Sequence, residues 1–262
     1  MTTALITNDD GIESPGLHRL ALVAADEGFD VVVAAPAGQS SGSSASITGT
    51  EADGRIRFER RTLDGLDAIP AFAVEAAPAL IALIAAHGAF GAPPDLVFSG
   101  INRGANVGRA ILHSGTVGAA LTGGLNGARG IAVSLDVGMD PLECHWDAAA
   151  EVARGLLPGL LDHPVGTVFN VNVPNASGID FEVREAPLAS FGIVQTTMVR
   201  GDDEQVRLSV ADGPRDQAEG SDAALLEAGF ATVTSITSIA ESRTQALAAE
   251  NSATMDPPGP LT

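Results

Sequence analysis

Two adjacent carboxylates near the start of the chain are the residues best suited to chemistry. Asp9 and Asp10 follow a short apolar run at 4–6 and precede Gly11. The run predicts a buried β-strand, so both carboxylates are expected at its carboxyl end, where open α/β sheets bind their ligands. Carboxylate pairs there are typical ligands of a hard divalent cation. An Asn-Asp-Asp-Gly segment by itself is more often a turn with a capping role, so further donors are needed.

Other oxygen-bearing side chains follow two further predicted strands. Ser41 lies in a Ser- and Gly-rich stretch after the strand predicted over 30–35, and Asn102 and Asn106 follow the strand predicted over 95–99. In a parallel sheet these loops meet at one edge. The resulting all-oxygen set suits Mg²⁺ or Mn²⁺, whereas zinc prefers Cys and His. The proposed ligands are Asp9, Asp10, Ser41 and Asn102. Ser- and Gly-rich stretches are also commonly mobile loops without a ligand.

A helix start rich in hydroxyl groups offers a place for an anion. The segment Ser114-Gly115-Thr116 follows His113 and opens a helix predicted over 114–125. The hydroxyls can donate, the glycine lets a ligand approach the backbone, and the helix N-terminus favours negative charge. The segment is neither a P-loop nor a dinucleotide fingerprint. Many helices that begin this way are simply capped, and a histidine in this position is more often a packing or surface residue.

Strands and helices alternate through the first part of the chain. Strands are predicted over 4–7, 30–35, 95–99, 130–135 and 167–173, and helices over 15–27, 77–87, 114–125 and 147–161. The alternation predicts an α/β fold with a Rossmann-like, mostly parallel sheet and helices on both faces. Shorter strands over 181–200, 205–210 and 230–239 predict a smaller C-terminal β-rich extension. We expect a Rossmann-like catalytic domain at 1–178, the β-rich region at 179–251 and a disordered, proline-containing tail at 252–262.

Composition limits the partners and the compartment. The chain has 14 Lys and Arg against 33 Asp and Glu, a net charge of −19. Such a field repels nucleic-acid duplexes and anionic membranes, and it admits a phosphorylated substrate only where a cation or a helix N-terminus attracts it. No apolar run approaches the ~20 residues of a membrane span. With no signal peptide expected before the first strand and a single cysteine, Cys144, we expect a cytoplasmic protein.

Four segments, in matching order and spacing, resemble one family. They are Thr-Asn-Asp-Asp-Gly-Ile at 7–12, Ala-Pro and Ser-Gly at 35–42 with Ser-Ile-Thr at 46–48, Ser-Gly-Ile-Asn-Arg-Gly-Ala-Asn-Val-Gly at 99–108, and His-Ser-Gly-Thr-Val-Gly-Ala-Ala at 113–120. They resemble the SurE family of survival-protein E phosphatases, which act as 5′- and 3′-nucleotidases. The match is dense over 4–135, and a weaker match follows in Asn-Val-Asn-Val-Pro at 170–174.

The resemblance implies a metal-dependent phosphatase. One Mg²⁺ or Mn²⁺ per subunit would be held by Asp9, Asp10, Ser41 and Asn102. The substrate phosphate would lie against Ser41, Asn106, Ser114, Gly115 and Thr116. The reaction would be hydrolysis of nucleoside 5′- (and 3′-) monophosphates, with Asp9, Asp10 and Asn102 as catalytic residues and one aspartate taking a proton from the attacking water. The C-terminal region would serve oligomerisation, giving a homodimer or homotetramer.

The chain also departs from the family pattern. Residues 75–79 replace a Gly-Thr-Pro-Ala-Asp-like stretch, residues 184–220 lack the family's aromatic pattern, and no histidine follows His163. A degenerate SurE-like protein that binds a nucleotide without turnover is therefore an alternative function. A nicotinamide-dependent oxidoreductase is another, although the missing GxGxxG fingerprint counts against it.

Overall fold

A computed structural model describes most of the chain. It describes residues 1–40, 42–49, 51–52, 55–138, 141–178, 181–190, 196–200, 206–210 and 218–239. The predicted metal ligand Ser41 and the predicted disordered tail at 252–262 lie outside these ranges.

Thirteen strands and five α-helices make up the described structure. The strands are β1 (Thr3–Thr7), β2 (Asp30–Pro36), β3 (Glu51–Ala52), β4 (Arg55–Ile56), β5 (Phe58–Arg61), β6 (Ala71–Val74), β7 (Leu96–Arg103), β8 (Arg129–Asp136), β9 (Thr167–Pro174), β10 (Val183–Glu185), β11 (Thr196–Arg200), β12 (Val206–Val210) and β13 (Ala231–Thr237). The helices are α1 (Pro15–Asp26), α2 (Pro78–Ala86), α3 (Gly115–Leu125), α4 (Trp146–Asp162) and α5 (Asp222–Glu227), and a 3-10 helix covers Gly108–His113. Among the described helices, none has the length and apolar character needed to cross a bilayer.

Nine of the strands form one sheet in the order β10-β13-β9-β8-β7-β1-β2-β6-β5. Neighbours are parallel except at β5–β6 and at β9–β13. The predicted α/β architecture with a mostly parallel sheet is therefore confirmed. At the C-terminal side, β13 extends this sheet through β9, while β11 and β12 pair as a separate antiparallel hairpin.

Helices cover both faces of the sheet. On one face α1 and α4 pack over a large apolar cluster that includes Leu17, Phe98 and Leu157. On the other face α2 and α3 pack together over a cluster that includes Leu5 and Ile81. The central strands are buried on both sides, which explains their nearly continuous apolar sequences.

The strand order reverses at β1. From β1 the chain moves outward through β2 and β6, returns to β7 on the opposite side of β1, and then moves outward through β8 and β9. The connections on the two sides of β1 therefore leave in opposite directions and open a crevice beyond the carboxyl ends of β1 and β7. Open α/β sheets bind their ligands at such a crevice.

Candidate functional site

A polar cavity of about 330 Å³ opens at this crevice. It is lined by Asp9, Asp10, Gln39, Gly42, Asn102, Arg103, Asn106, Ala110, His113 and Ser114. The lining combines the loops after β1, β2 and β7 with the 3-10 helix and the start of α3. The fold thus brings together side chains that the sequence places in four separate segments.

Asp9 is the most deeply buried charged residue of the cavity, with 6% of its surface exposed. Thr116 Oγ1 donates a hydrogen bond to its Oδ1 at 2.7 Å. Burial raises the pKa of the Asp9 carboxyl group, and the nearby charge of Asp10 raises it further, while the Thr116 hydrogen bond opposes both effects. The ionised form of Asp9 is therefore costly unless a positive charge is added to the cavity.

Asp10 links the loop after β1 to the end of β7. The backbone N–H of Arg103 donates to Asp10 Oδ2 at 3.1 Å. Burial raises the pKa of Asp10, and the Arg103 N–H and guanidinium charge lower it. The two carboxylates thus lie in one partly desolvated space, with one guanidinium among the residues that line it.

An irregularity in β7 places Asn102. The register with β8 shifts between Ser99 and Asn102, which adds one residue to β7. Gly100 has a φ of +136°, and a methyl group there would lie 2.3 Å from the carbonyl oxygen of Val133, so glycine is required. The Asn102 amide nitrogen donates to the Gly104 carbonyl oxygen at 2.7 Å. Its Oδ1 is therefore left for a ligand.

Asn106 is held by β9, the strand that contains the Asn-Val-Asn-Val-Pro segment. Its backbone N–H donates to Asn172 Oδ1 at 2.7 Å, and its Nδ2 donates to Ser134 Oγ at 2.8 Å. The side-chain amides of Asn170 and Asn172 donate to the Asn106 carbonyl oxygen at 2.9 and 2.8 Å. The Asn-Val-Asn pattern of β9 therefore positions the loop after β7, a role that the sequence reasoning had not identified.

The start of α3 lies against Asp9. Ser114 caps the helix, since its Oγ accepts a hydrogen bond from the Val117 N–H at 3.1 Å. A methyl group added at Gly115 would lie 2.6 Å from Ser43 Oγ and 2.9 Å from Asp9 Oδ2, so only glycine fits this approach. Ser43 Oγ is buried and has no hydrogen-bond partner within the described chain.

Thr116 differs from the sequence expectation in one respect. The sequence predicts a phosphate contact, but the Thr116 hydroxyl proton is donated to Asp9. Its hydroxyl proton is therefore used on Asp9, and its backbone N–H also faces the Asp9 carboxylate, where it helps to lower the pKa of Asp9. An anion at the helix start would be held by the neighbouring N–H groups and by the Ser114 hydroxyl.

The donor set fits a hard divalent cation. Four oxygen donors lie at the cavity or beside it. They are the buried carboxylate of Asp9, the half-buried carboxylate of Asp10, the Asn102 amide oxygen and the Ser43 hydroxyl. Ser41 is outside the described residues, although the N–H of Ser40 donates to the Asp9 carbonyl oxygen at 2.7 Å and Gly42 lines the cavity. No cluster of three or more His, Cys, Asp or Glu suited to a metal occurs in the described ranges, and the candidate set itself contains two.

The structure adds two ionisable side chains to the predicted set. Arg103 and His113 line the cavity beside the predicted residues. Their proximity in sequence to Asn102 and Ser114 was the available signal, but sequence alone did not separate them from solvated surface residues.

A larger cavity of about 760 Å³ lies at the first turns of α1 and α4. Its lining includes His18, Arg19, Asp64, His145 and Trp146, and none of the predicted site residues. We place the candidate active site in the smaller cavity because it contains the paired carboxylates of Asp9 and Asp10 and lies at the crevice of the sheet.

Comparisons with known proteins identify the family. A mostly parallel sheet with clustered oxygen donors and a helix N-terminus at its crevice defines an α/β protein with a candidate site for an anion and a cation. The model of the family described as Survival protein SurE matches residues 4–198. The chain belongs to the SurE family, as its four sequence segments predicted.

Individual relatives agree with this assignment. The chain is 37% identical over 242 residues to the 5′-nucleotidase SurE of Methanopyrus kandleri, which covers 89% of this chain and 90% of that protein. It is 41% identical over 177 residues to the 5′-nucleotidase SurE of Symbiobacterium thermophilum, 66% of each chain. The crystal structure of the SurE protein from Aquifex aeolicus matches with a TM-score of 0.72 at 27% identity, covering 90% of this chain and 93% of that one.

Proposed function

We propose that this chain hydrolyses nucleoside 5′- and 3′-monophosphates to nucleoside and phosphate, with one divalent cation per subunit. The observation that carries the proposal is the Asp9–Asp10 pair, buried at Asp9 and half-buried at Asp10, which lies with the N-terminus of α3 in one cavity. As a member of the SurE family the chain is a hydrolase that acts on phosphomonoesters. The names of its relatives support a nucleotide substrate.

A bound cation resolves an electrostatic conflict in the cavity. The protein carries a net charge of −19, and the substrate phosphate is also negative. Mg²⁺ or Mn²⁺ would be held by Asp9, Asp10, Asn102 and Ser41, and Ser43 offers a further hydroxyl. When bound, such an ion supplies positive charge that favours the ionised carboxylates, attracts phosphate and lowers the pKa of water.

The residues of the chain perform the remaining steps. The backbone N–H groups at the start of α3, with the Ser114 hydroxyl, would hold the non-bridging phosphate oxygens and stabilise charge that develops on them. Asn106, fixed by β9, would orient the ester. Either Asp9 or Asp10, ionised beside the cation, would take the proton from the attacking water.

A substrate panel tests the proposal. The protein would be assayed with p-nitrophenyl phosphate and with 5′- and 3′-nucleoside monophosphates, each with Mg²⁺, Mn²⁺ or EDTA. We expect phosphate release that requires the metal and is lost in the double variant Asp9→Asn, Asp10→Asn. Full activity in EDTA or in the double variant contradicts the metal role. Tight nucleotide binding without phosphate release would instead support the alternative, a binding protein without turnover.

We also propose the assembly and the compartment that the sequence predicts. Residues 179–251 would mediate formation of a homodimer or homotetramer, separate from the catalytic domain at 1–178. A monomer at micromolar concentration in gel filtration with light scattering would contradict this. The single cysteine supports a cytoplasmic location.

A further inference from the structure

Hydrolysis of a nucleoside monophosphate needs a proton donor as well as a base. The leaving oxygen is that of a sugar alcohol, which is strongly basic, so the P–O bond breaks more easily when this oxygen is protonated. Asp9 and Asp10 are needed in their ionised form, to hold the cation and to take the proton from the attacking water. We propose that His113 is the catalytic acid that protonates the leaving oxygen. This inference rests on the proposed function.

The lining of the cavity points to His113. The titratable side chains that line the cavity are those of Asp9, Asp10, Arg103 and His113. A guanidinium does not release its proton in proteins, and the two carboxylates have the opposite task. Imidazole is the side chain that both holds and releases a proton near neutral pH. The chain has no histidine after His163, so a histidine donor must come from the earlier part of the sequence.

The backbone around His113 is firmly held. His113 ends the 3-10 helix and directly precedes Ser114, the cap of α3. Ser44 Oγ donates to the Leu112 carbonyl oxygen at 2.5 Å, and the Ser114 N–H donates to the Ile111 carbonyl oxygen at 3.0 Å. These bonds fix the position from which the imidazole reaches the cavity.

The imidazole itself is available. It is exposed at the cavity, and no hydrogen bond to it occurs within the described part of the chain. By contrast, the rings of His18, His87 and His163 each contact a backbone carbonyl oxygen. A histidine on a fixed backbone with an unoccupied ring is suited to a proton transfer to a ligand.

Two protons move in the proposed step, one from water to an aspartate and one from His113 to the leaving oxygen. The oxygen of water attacks phosphorus, and its proton passes to Asp9 or Asp10. The bond between phosphorus and the leaving oxygen breaks, and its electron pair stays on that oxygen, which takes the proton from the His113 imidazolium. Nucleoside and phosphate result, and the histidine and the aspartate regain their starting states by exchange with solvent.

The leaving group provides the test. His113→Asn keeps a polar side chain of moderate size but removes the acid. With AMP, whose leaving oxygen is strongly basic, we expect kcat to fall by ~10²–10⁴, the usual contribution of a general acid or base. With p-nitrophenyl phosphate, whose leaving group is weakly basic and needs no proton, we expect kcat to stay near that of the unmodified protein.

A matched control separates this effect from a general disturbance. His145 also makes no side-chain hydrogen bond in the described structure, and it lines the other cavity. His145→Asn should retain activity on both substrates. Thermal unfolding of both variants measures whether the fold is intact.

Selective loss of kcat on AMP by His113→Asn, with KM for AMP little changed, supports the acid role, whereas a rise in KM alone assigns His113 to binding the nucleoside and overturns it. Equal loss on both esters, or no loss on either, overturns it while leaving the proposed function in place. If the unmodified protein releases phosphate from neither ester with any metal, the proposed function fails, and the role of His113 fails with it.

Discussion

Thr116 Oγ1 donates a 2.7 Å hydrogen bond to Asp9 Oδ1 and so joins the first turn of α3 to the loop after β1. Both residues are buried. The bond favours the ionised carboxylate, whereas burial and the neighbouring Asp10 disfavour it. The balance of these effects sets the protonation state of Asp9.

Replacing Thr116 by valine should shift the activity profile to higher pH. The variant keeps the shape of the side chain but loses the donor, so the pKa of Asp9 rises further. In the proposed mechanism the ionised form of Asp9 is the active one, so the acidic limb of the kcat/KM profile should move to higher pH. The acidic limb should move by about 1–2 pH units, since a hydrogen bond to a charged group is worth ~1.5–3 kcal/mol and one pH unit corresponds to ~1.4 kcal/mol.

Two variants provide controls for the Thr116 prediction. Thr116→Ser keeps a hydroxyl and should retain most of the activity. Thr122→Val removes a comparable hydroxyl of the same helix, one that donates to the Gly118 carbonyl oxygen and is remote from Asp9. An unchanged acidic limb in Thr116→Val would show that the hydrogen bond does not control Asp9.

The buried carboxylate of Asp9 should reduce the stability of the metal-free protein. The folded-state pKa of Asp9 is raised, whereas in the unfolded chain it is about 3.9. Between these values the folded state binds more protons, so the free energy of unfolding falls as pH rises, and above the folded pKa the full cost is present. Asp9→Asn should therefore stabilise the metal-free protein at neutral pH, by on the order of 1 kcal/mol or about 2–4 °C in Tm.

The comparison for this prediction is Asp67→Asn. It removes one exposed negative charge, so it measures the effect of making the net charge of −19 less negative without a change in the cavity. Tm would be measured in EDTA at several pH values below and above the ordinary pKa of aspartate. If Asp9→Asn and Asp67→Asn raise Tm equally at every pH, burial of Asp9 has no local cost.

Gly115→Ala should disable the site while leaving the fold intact. The added methyl group would lie 2.9 Å from Asp9 Oδ2 and 2.6 Å from Ser43 Oγ, so both side chains must move. We expect kcat/KM to fall by ~10²-fold, the size of effect that a displacement of about 1 Å at a reacting centre produces. Circular dichroism and kinetics on the same sample measure the two effects.

Gly155→Ala is the matched control for Gly115→Ala. Gly155 lies within α4, and a methyl group there meets no atom within 4 Å. Alanine is a better helix former than glycine by ~1 kcal/mol, so this variant should be slightly more stable and fully active. Full activity in Gly115→Ala would mean that the close contact with Asp9 is not needed for catalysis.

The sequence predicted the strands and the loops after them, because apolar runs and the polar residues that follow them are local signals. Asp9, Asp10 and Asn102 were placed at one edge of a sheet on this basis, and the structure brings them to one cavity. The hydrogen bond between Thr116 and Asp9 depends on how α3 packs against β7 and β8 of the sheet. No sequence pattern encodes that contact.

The 3-10 helix Gly108–His113 was also beyond sequence reasoning. A segment of this length has no hydrophobic period long enough to detect, and its position depends on contacts made elsewhere, such as the bond from the Arg109 N–H to the Ala189 carbonyl oxygen. The short helix α5 is similar: buried Asp222 accepts hydrogen bonds from the N–H groups of Gly108 and Ala189. A buried aspartate of this kind cannot be distinguished from a surface one by sequence.

Asn102→Ala should weaken metal binding and catalysis together. The Asn102 amide nitrogen is already used on the Gly104 carbonyl oxygen, so the variant mainly removes the Oδ1 ligand. We expect kcat to fall by ~10²–10³, as for other single electrostatic contacts. At the same Mn²⁺ concentration, the metal should also stabilise the variant less than the unmodified protein. A ligand at 100 times its Kd contributes ~2.7 kcal/mol, and this contribution shrinks as Kd rises.

Asn126→Ala is the control for Asn102→Ala. Asn126 is similarly half-buried, and its amide nitrogen donates to a backbone carbonyl oxygen, that of Thr122 at 2.8 Å, but it lies at the opposite end of α3. It should lose some stability and keep both the Mn²⁺-induced rise in Tm and the activity. An Asn102→Ala variant with an unchanged Mn²⁺-induced rise in Tm would remove Asn102 from the metal site. A fall in kcat under those conditions would then assign Asn102 to the substrate, because the cation would be bound as before and the lost contact would be with the phosphate.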